Sequence, residues 1–290
     1  MEKSKKACLL EINIATVLLS LNFVIVKLIS LPAEAIVLLR TVLAAVALCV
    51  FLFFIKERFK LASKKDYFLV FFLGFLLAVH WITLFYAIKI STVAIAVISL
   101  FTYPVITTFL EPYFDREKTK FMDVFMAILV LAGVFFMMPS FDLNDTATLG
   151  VLFGLTSGFT YSLRNVITKR YVKRYSSSLI MFYQILVTMI VTLPFLFVFP
   201  DTLVFKGYDV QYLLWIGLIG TALAHTLFIK SFASLKVRTA SMISLVQPVY
   251  GIFFAYLLLN EVPTLRILFG GLIVLGAVAF DSYKHVRERG

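Results

Sequence analysis

The chain has 290 residues, 61% of them hydrophobic and only 15% charged, with a mean hydropathy of +0.99. Soluble domains run about 45–50% apolar and about 25% charged, so this composition excludes an ordinary soluble domain, and 31 Phe with 13 Tyr exclude a chain that fails to collapse. The net charge of +11 does not mark a nucleic-acid binder, because Lys and Arg fall in short runs between long apolar stretches and not on one solvent-facing patch. A helix that crosses a bilayer takes roughly 20 apolar residues. Ten such segments follow in chain order, at 8–29, 33–55, 66–88, 91–111, 121–139, 149–171, 177–199, 209–233, 238–259 and 265–283. The charged start of the first resembles a signal peptide, yet Asn22 and Lys27 occupy the place of a cleavage site, so an uncleaved span is expected. Runs such as Phe68–Leu77 show no alternation, which favours helices over a barrel. Cys8 and Cys49 form no metal or disulfide spacing and read as small core residues. The expected fold class is an all-α polytopic membrane protein.

Charge sets the orientation of these segments. Twenty of the 27 Lys and Arg lie in the N-terminus, the even-numbered connections and the C-terminus, among them Lys56 to Lys65, Lys169 to Arg174 and Lys284 to Arg289. Only Lys89, Lys206 and Arg266 fall in the odd-numbered connections. Under the positive-inside rule both termini are cytoplasmic, in keeping with a bacterial inner-membrane protein. The remaining four cations, Lys27, Arg40, Arg164 and Lys230, lie within spans.

A shift of 144 residues aligns the two halves of the chain. Pro104 meets Pro248, Glu117 meets Glu261, Val93 and Ala96 meet Val237 and Ala240, and Ala127 meets Gly271; at a shift of 145, His80 meets His225. Five spans per half is an odd number, so the second copy crosses in the opposite sense. The expected organisation is therefore a first five-helix repeat over 8–139 and an inverted second over 149–283. Inverted repeats of this kind place a solute near the midplane at the repeat interface.

Asn22-Phe23 with Lys27, Arg40, the run from His80 to Ala96, Pro104 with Glu117, the stretch from Gly217 to Phe228, Pro248, Asn260-Glu261 and Gly270 to Gly276 together resemble the EamA-type family of the drug/metabolite transporter superfamily. The resemblance covers about residues 9–283. It implies ten helices, cytoplasmic termini, a central cavity lined mainly by spans 1, 3, 4, 6, 8 and 9, and export or exchange of small metabolites. Two departures stand out: Arg116 replaces the usual small residue before Glu117, and Gln184 stands where Arg40 does in the first half. The second departure makes the halves functionally unequal.

Arg40 is the sharpest candidate, roughly 10 Å into span 2 at 1.5 Å per residue. An intramembrane Arg is costly and faces a cavity or a partner, and its fork suits a carboxylate or phosphate; pairing with Glu34 is the structural alternative. Lys27, Arg164 and Lys230 lie close enough to span ends to snorkel. No carboxylate falls mid-span, so the buried cations invite an anionic solute such as an amino acid. The candidate cavity set is Asn22, Arg40, His80, Trp81, Tyr103, Tyr161, Gln184, His225, Gln247 and Tyr250, with Tyr86 as a further aromatic wall and Pro104 and Pro248 as kinks that free backbone carbonyls. For His80 and His225 a packing role is the alternative. Gly154 with Gly158, Gly217 with Gly220, and Gly270-Gly271 with Gly276 read as close-packing faces, and Glu117 and Glu261 as groups orienting turns. Metal-ligand, paired-carboxylate and nucleotide-binding patterns are absent from the sequence, so neither cofactor nor enzymatic activity is expected. The expected function is a secondary transporter, monomeric or homodimeric, of small organic metabolites. A passive channel or facilitator is the alternative, and an integral-membrane enzyme a more distant one.

Overall fold

Apolar runs of this length must satisfy every backbone group internally in lipid, and helices do so. The computed structural model describes residues 2–115, 121–137, 142–172, 174–198, 203–235 and 237–287, and contains no strand among them. Its helices are α1 (Glu2–Leu28), α2 (Ala33–Phe54), α3 (Lys64–Ile90), α4 (Val93–Leu100), α5 (Tyr103–Asp115), α6 (Phe121–Met137) and α7 (Thr146–Tyr171). They continue with α8 (Ser177–Thr192), α9 (Phe195–Val198), α10 (Asp209–Leu214), a π-helical segment (Trp215–Leu223), α11 (Ala224–Ser231), α12 (Val237–Ser244), α13 (Val246–Leu259) and α14 (Leu265–Arg287). Among the described residues, seven helical stretches, some of them interrupted, are long and apolar enough to cross a membrane, and Phe121–Met137 and Leu265–Phe280 are shorter apolar helices. The helix α7 has the length but carries Arg164, Lys169 and Arg170 among many Gly, Ser and Thr residues. Large apolar side chains such as Phe53, Phe54, Phe68 and Phe121 face outward, as suits lipid contact.

Local sequence explains the helix starts and stops. Ser63, Thr92, Asp145 and Ser176 accept backbone N–H groups at the N-termini of α3, α4, α7 and α8, offsetting donors that have no intrahelical partner. Asn260, at φ 56°, closes α13 in the left-handed conformation that Asn tolerates. Pro104 and Pro248 each fall in the first turn after a break: α4 ends before Phe101–Thr102, and α12 ends before Leu245. Proline fits a first helical turn because its missing N–H has no partner to lose there. The π-helical segment was not foreseen; within it, the Thr221 hydroxyl donates to the Ile216 carbonyl five residues back.

The close-packing glycines do the work expected of them where helices meet. Gly150, Gly154 and Gly158 lie on one face of α7, against Ser91 at the end of α3 and against Ser99 and the Leu100 carbonyl of α4. Gly133 of α6 and Gly270 of α14 face each other, Gly217 abuts Leu43, and Gly220 abuts Asn22. Gly276 has nothing within 4 Å of where a Cβ would stand, so its packing role is corrected. Cys49 is exposed, so only Cys8 is a core residue. Glu117 and Arg116 lie outside the described residues. A leucine at position 154 would collide with Ser99, whose Cβ lies 2.5 Å from an added Cβ, and forced overpacking costs about 1–3 kcal/mol. Gly154→Leu is therefore expected to lower the melting temperature of the purified protein, while Gly276→Leu leaves it unchanged; thermal unfolding in detergent checks both.

Candidate functional site

Eight of the ten candidate residues meet around one central cavity: Asn22, Arg40, His80, Trp81, Tyr103, Tyr161, His225 and Gln247. They come from α1, α2, α3, α5, α7, α11 and α13, and Phe23, Phe85 and Phe101 complete the apolar wall. The cavity encloses about 40 Å³, room for a few waters and no more.

Arg40 is 1% exposed and stacks between two rings, its guanidinium carbon 3.9 Å from the Trp81 centroid and 4.9 Å from that of Phe85. Its Nε and Nη2 have no hydrogen-bond partner. Glu34 is not its counter-ion, for it lines a separate cleft with Phe195 and Leu203. Cation–π contact is worth about 2 kcal/mol or somewhat more when desolvated, against the several kcal/mol that burying an ion costs. Around Arg40 the aromatic groups interlock: Trp81 meets His225 edge-on at 5.2 Å, His80 stacks on Tyr161 at 4.5 Å, and Tyr161 meets Tyr103 at 5.0 Å. The His80 Nδ1 lies 2.7 Å from the Ser157 hydroxyl and 3.2 Å from the Ser157 carbonyl. Asn22 donates to the Gly220 carbonyl of the π-helical segment at 3.3 Å, and its Oδ1 is left without a partner. Among the described residues, no carboxylate lines this cavity.

The other two candidates lie elsewhere. Gln184 is fully buried but away from the cavity, its Oε1 accepting from Arg164 Nε at 2.7 Å. Arg164 also donates to Asn165 Oδ1 at 3.0 Å and reaches the Met181 sulfur; it is wholly enclosed and does not snorkel. Tyr250 is 38% exposed and stacks on Phe254. Tyr86, likewise, is exposed and packs on Phe153. Lys27 does not reach outward either: it donates to the Ile88 and Ser91 carbonyls at the end of α3 and pairs with Glu261 at 3.7 Å. Glu261 in turn accepts the Val93 N–H at 2.8 Å, capping α4 from the far half of the sequence. Lys230 is 55% exposed and pairs with Glu11.

Sequence reasoning missed the Arg164–Gln184 pair, the π-helical segment and Ser157. The repeat itself held a signal for the first, since the same shift that sets Arg40 on Gln184 sets Ser20 on Arg164. Thr156 and Ser157 both lie between the close-packing Gly154 and Gly158, and the sequence does not tell which of them faces His80. A larger crevice of about 580 Å³ runs between α2, the π-helical segment, α11 and the start of α8, lined by residues including Leu48, Phe51, Ser177, Leu218 and Lys230.

The family model described as "EamA-like transporter family" matches residues 7–138 and 148–282. An uncharacterized transporter of Bacillus subtilis, YdfC, is 26% identical over 257 residues, covering 87% of this chain and 82% of that protein. An S-adenosylmethionine uptake transporter of Rickettsia felis is 22% identical over 201 residues, covering 69% of this chain and 66% of the relative. A crystal structure superposes with a TM-score of 0.72 at 15% identity, over 98% of this chain and 99% of that one, and so shares the fold.

The two buried guanidiniums differ in a measurable way. Removing the partner of a buried charged hydrogen bond costs about 1.5–3 kcal/mol. Gln184→Leu, which strips Arg164 of its acceptor, is expected to lower the melting temperature in detergent by several degrees. Arg40→Met, which removes a charge that has no partner, is expected not to lower it; a drop matching that of Gln184→Leu would show a hidden counter-charge.

Proposed function

The chain belongs to the EamA-like transporter family, and from that premise we propose that it is a secondary transporter of small carboxylate-bearing metabolites, working by alternating access. The observation that carries this reading is Arg40: a guanidinium enclosed in a central cavity without a carboxylate, with two nitrogens that bond to nothing. An acid group on the solute would supply the missing charge and the missing acceptors in a two-point contact. Aromatic faces on every side suit an apolar or planar remainder. The name of the rickettsial relatives makes S-adenosylmethionine, which carries an α-amino acid head, the first solute to test.

The reading takes the chain as ten spans in two inverted five-helix repeats, 8–139 and 149–283, in a bacterial inner membrane with both termini cytoplasmic. Supporting it are the family matches to two consecutive segments and the like placement of Pro104 and Pro248 after a helix break. Charge asymmetry supports the orientation. On that orientation the Lys27–Glu261 contacts lie at the outer end, and the 580 Å³ crevice opens toward the cytoplasmic one. A closed outer end and a cavity too small for a solute describe one station of an alternating-access cycle.

Counterflow in proteoliposomes, run with S-adenosylmethionine and a panel of amino and carboxylic acids, is expected to be saturable for at least one carboxylate-bearing solute. Arg40→Gln is expected to reduce that flux at least tenfold, about 1.4 kcal/mol or more of lost interaction, with the protein still folded; wild-type flux in this variant overturns the site. Flux that fails to saturate points to a passive channel instead. Single cysteines placed beside Glu117 and Glu261 in a cysteine-free background are expected to label from opposite sides of the membrane, and labelling from the same side overturns the inverted repeat.

A further inference from the structure

We propose that Ser157 is a positioning residue: it holds the His80 imidazole as the Nδ1–H tautomer, so that Nε2 presents a lone pair to the cavity as the acceptor for a donor group on the solute. The proposal rests on the reading of the cavity as the solute site and adds a specificity to it.

The tautomer follows from counting hydrogens. Ser157 is fully buried in α7. Its hydroxyl donates to the His80 carbonyl at 3.0 Å, which commits the one hydrogen the hydroxyl has. The same hydroxyl oxygen lies 2.7 Å from His80 Nδ1, and the Ser157 carbonyl oxygen lies 3.2 Å from it. A carbonyl has no hydrogen to give. The hydrogen shared among these three atoms therefore sits on Nδ1, and the two serine oxygens accept it. The opposite tautomer would turn the Nδ1 lone pair on the carbonyl oxygen, acceptor against acceptor.

A neutral imidazole protonated at Nδ1 is bare at Nε2. That nitrogen bonds to no described residue and opens onto the cavity that His80 lines. Stacking on Tyr161 at an interplanar angle of 24° holds the plane of the ring, and the Ser157 contacts hold Nδ1 within it. A second acceptor shares the cavity: Asn22 Oδ1 is buried and unpartnered. Arg40 offers donors only. A solute with an acid alone satisfies the guanidinium and leaves His80 Nε2 and Asn22 Oδ1 bare, beside the likewise unpartnered His225 Nδ1, whereas one with an ammonium beside the acid satisfies both kinds of group. Sites that hold buried polar groups reject analogues that leave them unpaired.

Two measurements test this. The chain has three histidines, so the imidazole nitrogens of the full-length protein, labelled with nitrogen-15 histidine in nanodiscs, can be assigned, His80 by its loss in His80→Asn. Nδ1 protonated and Nε2 bare is the expected pattern for His80, shifted toward Nε2 protonation in Ser157→Ala, which removes the hydroxyl acceptor at 2.7 Å and keeps the carbonyl at 3.2 Å; protonation at Nε2 in the unaltered protein, or no change in Ser157→Ala, overturns the positioning role. For the solute, Trp215→Phe leaves Trp81 as the sole tryptophan, a fluorescence reporter within the cavity. Norleucine is expected to bind at least tenfold more tightly than hexanoate, which lacks only the amino group, and Ser157→Ala to bring the two toward equality. Equal affinities in the unaltered protein overturn this inference and leave the carboxylate site standing. If neither acid binds, it is the carboxylate reading that falls, and the acceptor role with it.

Discussion

A guanidinium held at membrane depth with no opposite charge is the constraint around which the cavity is arranged. Arg40 cannot lose its proton at any ordinary pH, so its charge has to be met where it stands. The chain meets it only in part, with the faces of Trp81 and Phe85. Those faces screen the planar cation but give its N–H groups nothing to bond. Trp81 in turn leans on His225, which ties the Arg40 environment on α2 and α3 to α11. The remaining deficit is directional, because it is made of N–H bonds waiting for acceptors. An oxyanion fits that deficit better than any apolar ligand.

Arg164 shows what the same residue looks like when its charge is settled within the fold. Its guanidinium donates to Gln184 and Asn165 and faces no open space. At a shift of 144 residues, Arg40 corresponds to Gln184 and Arg164 to Ser20, so the cation sits on the second helix of one half and on the first helix of the other. In the first half, the Ser20 hydroxyl donates to its own helix, at the Thr16 carbonyl, and Arg40 receives no amide partner from it. Similar halves thus place one guanidinium in a sealed network and leave the other to the cavity.

The membrane character of the chain and much of its helix count were legible because apolar runs set span length directly. The cavity set was legible where polar or aromatic groups sit mid-span, as with Asn22, Arg40 and His80. It failed at Tyr250, and the reason is physical. In a soluble helix the polar face marks the outside, but a membrane helix is apolar both toward its neighbours and toward lipid. Gln247 and Tyr250, three residues apart, therefore read alike, although one lines the cavity and the other stacks on Phe254 at the periphery. Arg164 failed for another reason: depth along one span says how far a side chain must reach for water, and nothing about a glutamine waiting on the next span. The π-helical segment left no mark because the apolar run from Gly217 to Leu223 reads the same in either helical register; in the structure Asn22 lies against Gly220 there and donates to its carbonyl.

Irregular backbone gathers at the cavity, and this bears on how so small a space can admit a solute. Phe101 lies in the break between α4 and α5, Tyr103 opens α5, Gln247 follows the break at Leu245, and His225 follows the π-helical segment. At each of these points the ordinary helical bonding is already interrupted, so a bend there sacrifices fewer backbone hydrogen bonds than one within α3 or α7. The neighbouring contacts are of the opposite kind. Gly154 and Gly158 set α7 directly on Ser99 and the Leu100 carbonyl, just before the break, where close packing resists sliding. Beyond the breaks α5 and α13 begin, and α5 is joined to α7 by the Thr107–Ser162 hydroxyl pair at 2.7 Å and by the Tyr103–Tyr161 ring contact. The helices α5 and α13 carry Tyr103 and Gln247, so two walls of the cavity follow directly on interrupted helical bonding, whereas Arg40 stands on the unbroken α2 against the rings of Trp81 and Phe85.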